Sequence, residues 1–458
     1  MSADRTQLPA IGPDPAFSFP RIERHTLANG IALRTVEHMS APLVSFVVLV
    51  EGGSASDPAH LEGLAALTAD MMDEGTGDLS AIDVSDQLAR IGANYDSDVG
   101  ADASTFTLTT LARHVERGST LLADLLLRPS LRDADFDRVR KLRIDRLRQI
   151  RDLPQAVADR ALLRLLYGEH PYAHQPLGTS AGLGRTSLDS VVAFHGARVQ
   201  PSSITVVAGG ALSHATLREV AERVFGAWRP AAPAPPATPP ASSIEPADAP
   251  RPRLAIVARP GAAQSELRIG HLSARRSTPD YASLLVANAV LGGQFVSRVN
   301  LKLREEKGYT YGARTGFDWR RGLAPFALHA SVHTAATADA IRLSLEELEG
   351  IRGPRPPTDE EMELARASLT KGFPRNFETV QQVTRGVAQL ALFDLPDTYF
   401  EEFIPRVHAV TSGEVVRVAR EYIHPDRAST VIVGDRSVIE ADLEALGLGA
   451  ASVLDVET

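Results

Sequence analysis

Cysteine is absent from the 458 residues of this chain, so disulfides and thiolate metal sites are excluded. That absence fixes no compartment. No apolar run approaches the ~20 residues that a membrane-crossing helix needs. The N-terminus, Met1-Ser-Ala-Asp-Arg-Thr-Gln-Leu-Pro9, lacks the apolar centre of a secretory leader. The expected location is therefore the cytoplasm, or the periplasm where a leader has been removed. Positive charge is in deficit: 48 Lys and Arg against 57 Asp and Glu leave a net charge of −9. This argues against a general nucleic-acid binder, whose affinity rests on neutralising phosphates. A hydrophobic share of 44% and a charged share of 23% are ordinary for a soluble globular protein. The length calls for two domains or more.

A further absence is local. Residues 63–76 read Gly-Leu-Ala-Ala-Leu-Thr-Ala-Asp-Met-Met-Asp-Glu-Gly-Thr, within an amphipathic helix expected around 59–73 and ended by Gly75. Helix positions i, i+3 and i+4 share one face. Here they are Ala66, Ala69 and Asp70. Alanine offers no lone pair. Asp70 alone cannot hold zinc, which at a catalytic site needs three protein ligands and an open position.

The chain has one clear break. Residues 230–252 carry nine prolines among alanines and serines, an extended, semi-rigid composition outside any core. Domains are expected at 1–229 and 254–458, joined by a linker at 230–253. Both halves read in the same order. The first has a hairpin signal at Asn29-Gly30, a strand at Leu43–Val50 and the motif helix. A helix capped by Ser80, a strand at Thr105–Leu111 and two helices around Pro129 follow. The second has a strand at Leu254–Val257, a helix at Tyr281–Leu291 ended by Gly292-Gly293, and a strand at Phe326–Val332. Thr205-Val-Val-Ala-Gly209 and Thr430-Val-Ile-Val-Gly434 match, each after a proline. An internal duplication into two α+β domains is the natural reading, with sheets covered by helices.

Residues 63–76 resemble the metal-binding helix of the M16 peptidases, the pitrilysin-like inverted zincins. There the run is Gly-x-Ala-His-x-x-Glu-His-Met, closing on Gly-Thr. The likeness extends through Gly168-Glu-His-Pro-Tyr172, Pro260-Gly-Ala-Ala-Gln264, Ser297-Arg298 and Leu303-Arg-Glu-Glu-Lys-Gly-Tyr-Thr-Tyr311. It covers nearly the whole chain. In the family motif two imidazoles grip one Zn²⁺ and the carboxylate polarises its water. The resemblance implies a third ligand in a downstream helix, some eight residues before an Asp-x-Pro element. Counting back from Asp152-Leu153-Pro154 gives Arg146, or Asp145 if the register slips by one. Ala66, Ala69, Asp70 and Arg146 thus all depart from the catalytic set. No catalytic residue, metal ligand or cofactor is expected in this chain; zinc is expected in a partner. The resemblance also implies an Arg and a Tyr, seven apart, that hydrogen-bond the substrate backbone. Arg304 and Tyr311 have that spacing. A charged helix end followed by a strand tyrosine is the bland alternative.

Other candidates have plainer readings. His170 and His174 straddle Pro171 in a loop and read as surface residues. His329 and His333 lie on one face of a strand, solvated or lining a chamber. The arginines of 138–151 read as a solvated helix face with aspartate partners. Gly292-Gly293 reads as a helix end, without the long Gly-rich loop of the family's mitochondrial non-catalytic subunits.

The expectation is a non-catalytic, substrate-binding subunit of a heteromeric M16 zinc peptidase. It would complete the chamber and lend Arg304 and Tyr311 to the zinc site of a paralogue bearing H-x-x-E-H. The expected partners are that paralogue and a peptide, in a hetero-oligomer, with a homodimer left open. The alternative is a purely structural M16-fold subunit. An independent hydrolase finds no support in a Gly-x-Ser-x-Gly elbow or a cysteine nucleophile.

Overall fold

The computed structural model describes residues 17–230, 240–246 and 251–455. Most of the proline-rich stretch, 231–239 and 247–250, lies outside the described residues. Strands carry two six-stranded sheets. The first contains β1 (Ile22–Thr26), β2 (Ala32–Glu37), β3 (Leu43–Glu51), β6 (Asn94–Val99), β7 (Ala103–Leu111) and β8 (Ile204–Gly210). A small hairpin, β4 (Gly75–Thr76) and β5 (Leu79–Ser80), stands apart. The second sheet contains β9 (Leu254–Ala258), β10 (Gln264–Leu272), β11 (Ala313–Phe317), β12 (Pro325–His333), β13 (Ser429–Gly434) and β14 (Ser452–Val453).

The strand orders are β1-β2-β8-β3-β7-β6 and, read from its other edge, β14-β9-β13-β10-β12-β11. The parallel pairs β2–β8 and β9–β13 occupy equivalent places, and the next strand inward, β3 or β10, is antiparallel in both; the outer neighbours differ, β1 running antiparallel to β2 and β14 parallel to β9. The fold is therefore two mixed α+β domains of one plan. The sequence match at the closing strands is out of step by one residue. Val206 and Ala208 face the first domain's own core, as Ile432 does in the second, whereas Val431 and Val433 turn away. Because strand faces alternate, Gly434 corresponds to Gly210, not Gly209.

Helices cover both faces of each sheet. The second face is closed by a helix from the other half. Helix Pro154–Tyr167 packs Val157 and Ala158 against Val433, and Ala161 and Leu162 against Ala255 and Val431. Reciprocally, helix Val380–Leu392 covers Val47 and Val207 with Val383 and Val387. Thr384 meets Ser45 there, Oγ to Oγ at 3.3 Å. Each fully buried Val or Leu is worth about 1.5–3 kcal/mol over exposure, so this exchange ties the halves together and fixes the cleft between them.

The motif helix runs from Leu64 to Met72, shorter than its apolar pattern suggests. Gly63 starts it at φ +103°, where an added Cβ would lie 2.9 Å from the Gly178 backbone. The Asp57 carboxylate accepts from the N–H groups of Gly63 and Ala65 at 2.6 and 2.7 Å. His174 holds Asp57 at 2.9 Å. His174 is thus an interior brace rather than a surface residue. His170 is buried as well: its Nδ1 accepts from Tyr172 N–H at 3.0 Å and its Nε2 meets Ile244 O at 3.0 Å. Asp73, not Gly75, caps the helix; Gly75 opens β4 at φ +136°.

Candidate substrate-binding site and the motif helix

Ala66 and Ala69 are buried. Ala69 and Met72 join the core beneath the first sheet, while Leu64, Leu67 and Met71 pack on helix Asp133–Ile150. That helix answers with Phe136, Val139, Leu147 and Ile150, one stripe at helical spacing. Arg143 sits in the middle of the stripe. Its Nη1 donates to Asp70 at 2.5 Å and its Nη2 to Pro176 O at 3.0 Å.

The cation beside Asp70 is therefore Arg143, one turn before Arg146. Arg146 is exposed and makes no ion pair among the described residues. Asp145 points away and accepts from Arg148 at 2.8 Å. Counting back from Asp152-Leu153-Pro154 led to residue 146; the apolar stripe was the signal that would have led to 143. Neither the alanines nor an aspartate already bonded to a guanidinium fit zinc. Among the described residues no group of three or more His, Asp or Glu could hold a metal ion.

Asp73 caps the helix and is partly buried. Tyr95 Oη and Ser97 Oγ of β6 donate to it at 2.6 and 3.2 Å. Burial, aided by Asp70 and Glu74, nevertheless pushes its pKa up to about 7. An unfolded aspartate titrates near ~3.9. Between those values the folded chain holds a proton that the unfolded chain releases, so stability falls as pH rises through the window. Asp73→Asn should flatten this slope and stabilise the protein above neutrality. Urea unfolding at pH 5 and pH 8 reads it; equal pH slopes for parent and variant would reject the assignment.

Arg304 and Tyr311 lie in the second half. Helix Arg298–Asn300 widens at Leu301–Glu306 into i→i+5 bonding, with Lys307 N–H reaching Lys302 O at 3.2 Å. Arg304 stands in that wide turn. Its guanidinium makes no side-chain hydrogen bond among the described residues. It has a 3.6 Å ion pair with Glu305, and its Cζ lies 4.4 Å from the centre of the Phe295 ring. Tyr311 precedes β11 and is 89% exposed.

Tyr311 and Phe295 border an open cleft of about 690 Å³ between the halves. Its wall includes Asp159 from the exchanged helix and Arg268 and His329 from the second sheet. Arg304 does not line the cleft itself and approaches it through Phe295. Buried Arg268 donates to Asp159 at 2.5 Å and to Glu266 at 2.7 Å. Burial, then the Arg268 cation, holds the His329 pKa down to about 4, so it is neutral at pH 7. His333 is exposed at the strand end. Sequence reasoning missed this charged wall, although Glu266 and Arg268 share one face of β10.

Two duplicated α+β domains, with a helix in the metal-motif position that carries no ligands, define a peptidase-type fold without its metal centre. Residues 34–180 match the family described as "Insulinase (Peptidase family M16)", and residues 185–369 match "Peptidase M16 inactive domain". The chain belongs to the M16 peptidase family. It is similar to an uncharacterized zinc protease of Mycobacterium tuberculosis, at 23% identity over 90% of this chain and 92% of that one. A non-peptidase homolog of Helicobacter pylori is 27% identical over 35% of this chain and 37% of its own. The crystal structure of a peptidase M16 inactive domain from Pseudomonas fluorescens superposes with a TM-score of 0.84 at 22% identity, covering 91% of this chain and 98% of that one. That likeness supports the fold alone.

Proposed function

We propose that this chain is the non-catalytic, substrate-holding subunit of a two-chain M16 zinc peptidase. A paralogue bearing H-x-x-E-H would supply the zinc, the water and the base. This chain would close the chamber and offer Arg304 and Tyr311 to the peptide backbone. The carrying observation is a contrast. The metal positions are filled by buried alanines and an Asp70–Arg143 ion pair, yet Arg304 and Tyr311 make no side-chain hydrogen bond among the described residues and stand beside an open cleft. A guanidinium fork and a phenol hydroxyl suit peptide carbonyls and a developing oxyanion.

A scaffold role without substrate contact is the second reading. The non-peptidase name of the Helicobacter pylori relative favours it. Co-expression with an H-x-x-E-H-bearing paralogue from the same genome, followed by native mass spectrometry, tests the assembly. A mixed complex with chelator-sensitive peptide cleavage is expected. Only monomer or homo-oligomer in the presence of that paralogue would count against it.

A further inference from the structure

We infer that Phe295 is a positioning residue for Arg304, holding one face of the guanidinium while its edge donors stay free for a bound peptide. This rests on the reading of Arg304 as a substrate contact.

Phe295 is 61% exposed, so its ring is not a core element. The chain is built to put it there. Helix Tyr281–Leu291 stops at Gly292 and Gly293, where an added Cβ would lie 2.5 Å from Thr315 N and 2.6 Å from Asn288 Nδ2. Only glycine fits that tight exit. The buried Asn300 side chain then fixes both sides of the site. Its Nδ2 donates to Phe295 O at 2.7 Å, and its Oδ1 accepts from Ala313 N–H at 3.0 Å. One amide thus couples the Phe295 segment to the start of β11, two residues beyond Tyr311.

The ring is the main restraint on Arg304. Its one ion pair among the described residues, to neighbouring Glu305, is long and solvent-facing, and such pairs contribute little. A face-on aromatic contact differs from a hydrogen bond in one useful respect: it orders the plane without consuming any N–H. Arg304 is therefore held with its donors available.

The test is a double-mutant cycle read in the complex with the zinc-bearing paralogue, using a quenched fluorescent peptide pool. Phe295→Leu keeps apolar bulk and removes the π face. It should lower kcat/KM about three- to five-fold, Phe295→Trp should restore it, and Phe295→Leu should add nothing in an Arg304→Ala background. An equal loss in both backgrounds, or no loss while Arg304→Ala is impaired, overturns the proposal. A second readout needs no partner. The Arg304 Nε–Hε NMR resonance, assigned with Arg304→Lys, should carry a ring-current shift that disappears in Phe295→Leu. If Arg304→Ala cleaves like the parent, the substrate-contact reading falls, and this resonance alone decides the positioning. An unchanged resonance overturns it.

Discussion

After dialysis the purified chain should hold no stoichiometric zinc and cleave no peptide alone. Writing the motif back should not change that while Arg143 remains. The triple variant Ala66→His, Ala69→Glu, Asp70→His restores the helical face that grips the metal. Arg143 would still be anchored by its 3.0 Å bond to Pro176 O. A guanidinium about 5 Å from a dication, at an effective dielectric of about 20, costs roughly 7 kcal/mol. That is large against the ~8 kcal/mol of a micromolar site. Adding Arg143→Ala to the triple variant should therefore raise zinc affinity at least ~100-fold. Zinc titration with a chromogenic chelator as competitor measures this. One tight zinc in the parent would sink the ligand-free reading. One tight zinc in the triple variant with Arg143 intact would sink the electrostatic part.

Where the sequence was informative, one residue type had one physical use. Ser80 and Thr358 cap helices through boxes with Asp83 and Glu361, as their spacing suggests. Gly30, at φ +94°, turns β1 into β2. Ala66 and Ala69 could not ligate a metal in any fold. What was hidden depended on long-range contact. The exchanged helices are apolar on more than one side, but nothing local says that the second partner is the other half's sheet. Arg143 looked like one arginine in a basic helix until the stripe of Phe136, Val139 and Leu147 was seen to face the motif helix. His170 and His174 looked like loop residues because their acceptors, Ile244 O and Asp57, are far away in sequence. Phe295 read as one more apolar residue after a glycine pair; only its exposure and its contact with Arg304 give it meaning.

Arg304→Ala or Tyr311→Phe should slow peptide cleavage by the two-chain enzyme while zinc content and assembly stay normal. Tyr311 is 89% exposed and Arg304 partly exposed, and neither side chain hydrogen-bonds a buried group among the described residues, so neither truncation strands a buried partner. Surface changes of this kind usually alter stability by less than about 0.5 kcal/mol. A large kinetic effect would then be chemical. Losing one donor to a developing oxyanion costs on the order of 10²-fold in kcat. Losing a contact made equally to substrate and transition state raises KM and leaves kcat alone. The two residues need not fall in the same class. The Tyr311 hydroxyl is a single donor on a rigid ring and suits the oxyanion, whereas the Arg304 fork suits a backbone carbonyl further along the peptide. A kcat deficit for Tyr311→Phe with a KM deficit for Arg304→Ala is therefore the expected split. If both variants assemble and cleave like the parent, the pair is structural in this chain, and the scaffold reading moves ahead.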